Sequence, residues 1–73
     1  MPPVRNVEQA VLYAESFVTR YYPFRKLKRA FRDTEKGVWY VEFDVGVFNT
    51  ELVTVGLDPE SGEIIEYATP PAK

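Results

Sequence analysis

Two acidic side chains, Glu42 and Asp44, stand two residues apart in a segment where apolar and other residues alternate. On an extended strand this spacing places both carboxylates on one face, about 7 Å apart. Paired carboxylates carry out acid–base catalysis when burial raises the pKa of one of them. We expect this pair on an open sheet face opposite Lys26 and Lys28, and we therefore predict cross-strand ion pairs rather than catalysis.

The residues that many enzymes use for nucleophilic catalysis or metal binding are missing, because the chain has no histidine and no cysteine. This excludes disulfide bonds, thiol nucleophiles, Ser-His-Asp triads and thiolate or imidazole metal sites. The acidic residues at positions 58–63 lack the spacing of a calcium-binding loop, and the four glycines are too isolated for a phosphate-binding loop. We expect a protein that is not an enzyme, with no catalytic residue, metal site or cofactor.

A cluster of basic residues predicts another kind of chemistry, the binding of phosphate groups. Residues 1–32 hold seven basic and two acidic side chains, whereas residues 33–73 hold two basic and nine acidic ones. The alternative function is therefore nucleic-acid binding through five residues: Arg25, Lys26, Lys28, Arg29 and Arg32. The net charge of -2 and the acidic strand expected beside the cluster favour ion pairing instead, so neither nucleic acid nor a membrane is the expected partner.

The fold that positions these side chains begins with a helix. Asn6 is a favourable N-cap, and Gln9 completes the spacing of a capping box. The helix should end near Tyr21 or Tyr22, because Pro23 lacks the backbone N–H that would continue it. Its apolar residues follow at steps of three and four and form one buried stripe: Val7, Ala10, Val11, Ala14, Phe17, Val18 and Tyr21.

After the helix the apolar period changes from 3.6 to 2, and turn residues divide the remainder into four strands. We predict these strands near residues 26–32, 38–47, 52–57 and 63–68. Short loops make sequential strands antiparallel neighbours. The predicted fold is a single α+β domain over residues 1–73, in which one N-terminal helix packs on a four-stranded antiparallel meander sheet.

The alternation in the second strand defines the face that meets the helix, because Trp39 and Phe43 share it with the valines between and after them. Pairing Arg32 with Val38 across the first turn then places Phe31 opposite Trp39 on this inner face. The same register places Leu27 opposite Phe43, Lys28 opposite Glu42 and Lys26 opposite Asp44.

The same parity leaves three large side chains on the outer sheet face, where we predict a protein-binding surface: Tyr40, Leu52 and Ile64. It places Ile65 and Tyr67 on the inner face. The alternative is a bulge at the third turn, which would direct Ile64 inward and Ile65 outward.

Two motifs resemble those of PepSY-type domains: Gly-Val-Trp-Tyr-Val-Glu-Phe at residues 37–43 and Leu-Asp-Pro-Glu-Ser-Gly-Glu-Ile at residues 57–64. With the N-terminal helix, the resemblance covers about residues 7–67. It implies the helix-on-sheet fold, no catalytic residue, and a regulatory, inhibitory or protein-binding role of the kind proposed for domains found beside secreted peptidases or in cell-envelope proteins.

Together these features predict a small non-catalytic protein-interaction module. Its partner would be another protein or a second copy of the chain in a homodimer. The first residues lack the apolar segment of a secretory signal, and no apolar run reaches the length of a membrane span, so we expect a cytoplasmic protein.

Overall fold

A computed structural model describes residues 3–69, so the outermost residues of the predicted 1–73 domain lie outside the described part. Helix α1 (Val7–Val18) is followed by strands β1 (Lys26–Asp33), β2 (Val38–Asp44), β3 (Leu52–Leu57) and β4 (Ile64–Ala68). The strands form one antiparallel sheet in the order β1-β2-β3-β4. The predicted α+β meander is confirmed. Within residues 3–69, no helix has the length and apolar character to cross a bilayer.

Helix α1 begins as the sequence predicts. The side chain of Asn6 accepts a hydrogen bond from the backbone N–H of Gln9 at 2.9 Å, and the Gln9 side chain accepts one from the N–H of Arg5 at 2.7 Å. The helix ends at Val18, earlier than predicted, because the chain tightens there into a turn. In this turn the N–H groups of Tyr21 and Tyr22 both donate to the Val18 carbonyl at 3.0 Å.

The core lies between α1 and the inner face of the sheet. Ala10, Ala14 and Val18 are fully buried on the helix, and two of these three residues are alanines, whose small side chains let the helix approach the strands closely. The strands contribute the remaining fully buried large side chains: Val41, Phe43, Val53, Val55 and Leu57.

The first hairpin differs from the predicted register near its turn. Asp33, not Arg32, is opposite Val38, and Phe31 is therefore opposite Tyr40 on the outer face. The cause is the turn itself, because the Asp33 side chain accepts from two backbone N–H groups while its carbonyl accepts from the N–H of Gly37. The predicted partner of Lys28, Glu42, is instead opposite Arg29.

A bulge between Leu27 and Arg29 corrects this shift further along the strand. Lys28 is the extra residue, and beyond it Leu27 is opposite Phe43 and Lys26 is opposite Asp44, as predicted.

The last strand also contains a bulge, and it overturns the primary assignment of the two isoleucines. Ile64 is opposite Leu57 and packs against the core, and Tyr67 is opposite Val55. Ile65 is the extra residue and is exposed. The bulge alternative is thus confirmed, and Ile64 is not part of the outer face.

The loop between β2 and β3 is organised by Asp44. One oxygen of its carboxylate accepts from the backbone N–H groups of Gly46 at 3.0 Å and Glu51 at 3.1 Å. These two hydrogen bonds, assisted by the charges of Lys28 and Lys26, lower the pKa of Asp44.

We expect Asp44→Asn to lower the free energy of unfolding at neutral pH, because asparagine keeps an acceptor oxygen but loses the charge. A carboxyl whose pKa is lowered by folding stabilises the protein above its unfolded pKa of about 4, and this stabilisation is lost as the pH falls through the folded pKa. The difference between variant and wild type should therefore shrink below about pH 4. Urea denaturation at a series of pH values measures it, and a difference that stays constant down to about pH 2 would contradict this role of the charge.

Candidate functional site

Tyr40 lies on the outer sheet face as predicted, but it is only 9% exposed. Its ring lies across Gly56, where an added β-carbon would stand 3.2 Å from the tyrosine ring. Its hydroxyl donates a hydrogen bond to the Glu66 carboxylate, which raises the pKa of Tyr40. The ring of Phe31 covers it further, at a centroid distance of 5.6 Å. Tyr40 therefore offers little surface to a partner.

The three residues predicted as a protein-binding surface do not come together. Leu52 is exposed at the start of β3, opposite Asp44, whereas Ile64 packs in the core and Tyr40 is covered. The prediction that these three residues form one outer-face surface is therefore wrong. The bulge in β4 turns Ile64 inward, and Gly56 provides the space in which Tyr40 is covered.

The outer face instead carries an open groove of about 610 Å³. Arg29, Phe31, Lys36, Tyr40, Glu42 and Glu66 line it. Its charges compensate one another: Arg29 is 3.4 Å from Glu42, and Lys36 is near the Tyr40–Glu66 pair, which raises the pKa of Lys36. This groove has no net preference for an anion or a cation.

The five basic residues of the predicted nucleic-acid site are divided among different surroundings. Arg25 pairs with Glu15 at 3.6 Å, and Arg29 pairs with Glu42. Arg32 belongs to the inner face, with its guanidinium 6.0 Å from the centre of the Trp39 ring. Two lysines complete the set: Lys26 opposite Asp44 and Lys28 at the bulge. The structure does not bring these residues together on one face.

A second groove, of about 480 Å³, lies between helix α1 and strand β1. We call it the α1–β1 groove. Its lining is mainly apolar and consists of Val7, Glu8, Val11, Leu12, Leu27 and Ala30. Leu12 is 60% exposed and Leu27 is 46% exposed, although both lie beside the other apolar residues of the groove. Exposed apolar side chains gathered in a concave surface are typical of binding sites.

The sequence pattern does not predict this groove. Leu12 lies outside the apolar stripe of the helix, and that isolated leucine was the available signal. The sequence pattern predicts Leu27 and Val7 in the core, yet both side chains are exposed in the structure.

At the opposite edge of the sheet, aromatic side chains pack against β4. Phe17 on the helix contacts Tyr67 on β4 with ring centroids 5.0 Å apart, and Tyr21 lies 5.3 Å from Phe17. Burial, together with the neighbouring Tyr22 side chain, raises the pKa of Tyr67 to about 12. The contact between Phe17 and Tyr67 joins the C-terminal end of the helix to β4.

The fold and its grooves place the chain in a broad class, the two-layer α+β domains with one helix on an antiparallel sheet. Within residues 3–69 no group of three or more acidic side chains could hold a metal ion. No protein-family model, curated protein or solved structure matches the chain.

Proposed function

We propose that the protein is a non-catalytic interaction module that binds another protein through the α1–β1 groove. The observation that carries the proposal is the convergence of exposed apolar side chains from two elements, Leu12 on α1 and Leu27 on β1, in one groove. Covering one exposed leucine stabilises a complex by up to about 1.5–3 kcal/mol, which makes these two residues the anchors of the site.

The resemblance to PepSY-type domains supports the same class of function, since it implies a protein-binding or inhibitory role without catalytic residues. The proposal moves the binding surface from the predicted outer face to the groove. It retains the cytoplasmic location that we expect from the sequence.

The test is the replacement of Leu12 by glutamate, with Phe48→Glu as the matched control. Phe48 is 95% exposed on the β2–β3 loop and does not line the groove. Both variants should stay folded, because each changes an exposed side chain. In affinity capture followed by cross-linking, we expect a partner that binds wild type and Phe48→Glu but is lost with Leu12→Glu. A partner retained equally by both variants would contradict the groove as the site.

Nucleic acid is the second candidate partner, on the strength of the outer-face groove. There the Arg29 guanidinium lies 4.9 Å from the centre of the Phe31 ring, and Lys36 lies 5.8 Å from that of Tyr40. The carboxylates of Glu42 and Glu66 in the same groove oppose phosphate binding. Fluorescence anisotropy with single- and double-stranded oligonucleotides tests this candidate. Binding at low salt that weakens steeply as salt is added would support it, and no binding at low salt would reject it.

A further inference from the structure

We propose that strand β1 binds an extended, acidic segment of a partner protein by strand addition, with the segment's apolar side chains in the α1–β1 groove. This inference rests on the proposed function, because it names the chemistry of the partner that the groove would hold.

The backbone of β1 is available for this pairing. The strand order places β1 at an edge of the sheet, with β2 on one side and no strand on the other among residues 3–69. The bulge at Lys28 leaves Arg29–Asp33 as the regular part of the strand, and this part pairs with β2 without interruption. An edge strand presents unpaired N–H and C=O groups to which an extended peptide can add.

The groove continues the inner face of the sheet beyond β1. Leu27 and Ala30 are opposite Phe43 and Val41, both of which are buried on that inner face, and they also line the groove. An added strand would direct alternate side chains to the same face, where Leu12 would cover them. The site therefore fits a segment with an apolar residue at every second position.

The charge of β1 indicates which residues should alternate with the apolar ones in the partner segment. Ion pairs within 4.0 Å involve Arg25 and Arg29 among the described residues, and no such pair there engages Lys26 or Lys28 at the bulged start of β1. A strand edge with this charge repels a second β1 and attracts carboxylates. Charge thus disfavours a homodimer formed through β1 and favours a partner segment in which acidic residues alternate with apolar ones.

The probe for this inference is a synthetic eight-residue peptide of alternating glutamate and valine, blocked at both ends and titrated by calorimetry. A lysine–valine peptide of equal length is the control. We expect the glutamate peptide to bind at least about tenfold more tightly, because its carboxylates meet the cations of β1. Equal binding of the two peptides, or no binding of either, would overturn the inference.

Backbone pairing is tested with two N-methylated forms of the glutamate peptide, one methylated at the glutamates and the other at the valines. In an added strand, alternate N–H groups point toward β1 and away from it. One methylated form should therefore lose binding while the other keeps it, and binding should slow hydrogen exchange at alternate amides of residues 29–33. Loss or retention of binding in both forms would contradict strand addition.

A charge variant completes the test. Lys28→Glu should weaken binding of the glutamate peptide about fivefold, whereas Arg20→Glu, an equal charge change after the helix, should have little effect. Equal effects would indicate a nonspecific dependence on net charge. If the peptides fail while Leu12→Glu still abolishes binding of the captured partner, the groove remains the site and strand addition alone is rejected.

Discussion

Phe43→Ala is expected to lower the free energy of unfolding by about 3–5 kcal/mol. Phe43 lies near the end of β2, one of the two central strands, between Leu27 and Val53, and is 1% exposed. Removing its ring forfeits the free energy of burial and leaves a cavity that the neighbouring strands cannot fill without breaking their pairing. A domain of 73 residues has a total stability of about 4–11 kcal/mol, so a large part of the variant could unfold at room temperature.

Phe48→Ala is the matched control, because it removes the same atoms from a side chain that is 95% exposed. Its effect should stay within about 0.5 kcal/mol. Urea denaturation followed by circular dichroism measures both variants. Similar losses in the two would mean that Phe43 is not a core residue or that Phe48 is covered in solution.

The second large effect is expected at Gly46, where alanine should cost about 3 kcal/mol or rearrange the β2–β3 loop. A β-carbon there would overlap the backbone carbonyl oxygen of Asn49 and lie 3.1 Å from the backbone nitrogen of Glu51. Because the obstacle is backbone, relief requires movement of the loop that Asp44 holds through the N–H groups of Gly46 and Glu51.

Gly37→Ala is the comparison variant, because Gly37 adopts a backbone conformation that favours glycine but has open space at the position of an added β-carbon. Gly37 has a φ of 66°, and nothing lies within 4 Å of an added β-carbon. Its replacement should cost only about 1–2 kcal/mol, the penalty of a left-handed conformation. Thermal unfolding followed by Trp39 fluorescence compares the two variants. A smaller loss for Gly46→Ala than for Gly37→Ala would contradict the crowding at Asn49.

The helix start, the number of strands and their order could be predicted because each depends on local signals: the Asn6 cap, the change of period and the turn residues. Register depends on single-residue insertions, which these signals do not reveal. Asp33 both ends a strand and caps the turn, and this double role shifts the first hairpin by one residue until Lys28 compensates. The bulge at Ile65 could be named in advance only as an alternative.

The proposed binding surface is harder to predict from the sequence, because it depends on how the helix and the strands meet. The alternation of β2 correctly placed Tyr40 on the outer face, but its burial results from Gly56 on the next strand and Glu66 on the one beyond. The groove likewise requires the lateral position of α1 over the sheet. That position depends on contacts between residues far apart in the chain, of which Phe17 and Tyr67 are one pair.

The connectivity of the sheet also has a kinetic consequence. Each of β1, β2 and β3 pairs with the strand that follows it, and four residues separate β1 from β2, so these pairings require only short loops to close. Proteins rich in such local pairings fold faster than proteins of similar size whose contacts join distant parts of the chain. For a chain whose β1 edge remains open to other strands, rapid closure of the hairpin onto β2 shortens the time in which both edges of β1 could associate wrongly.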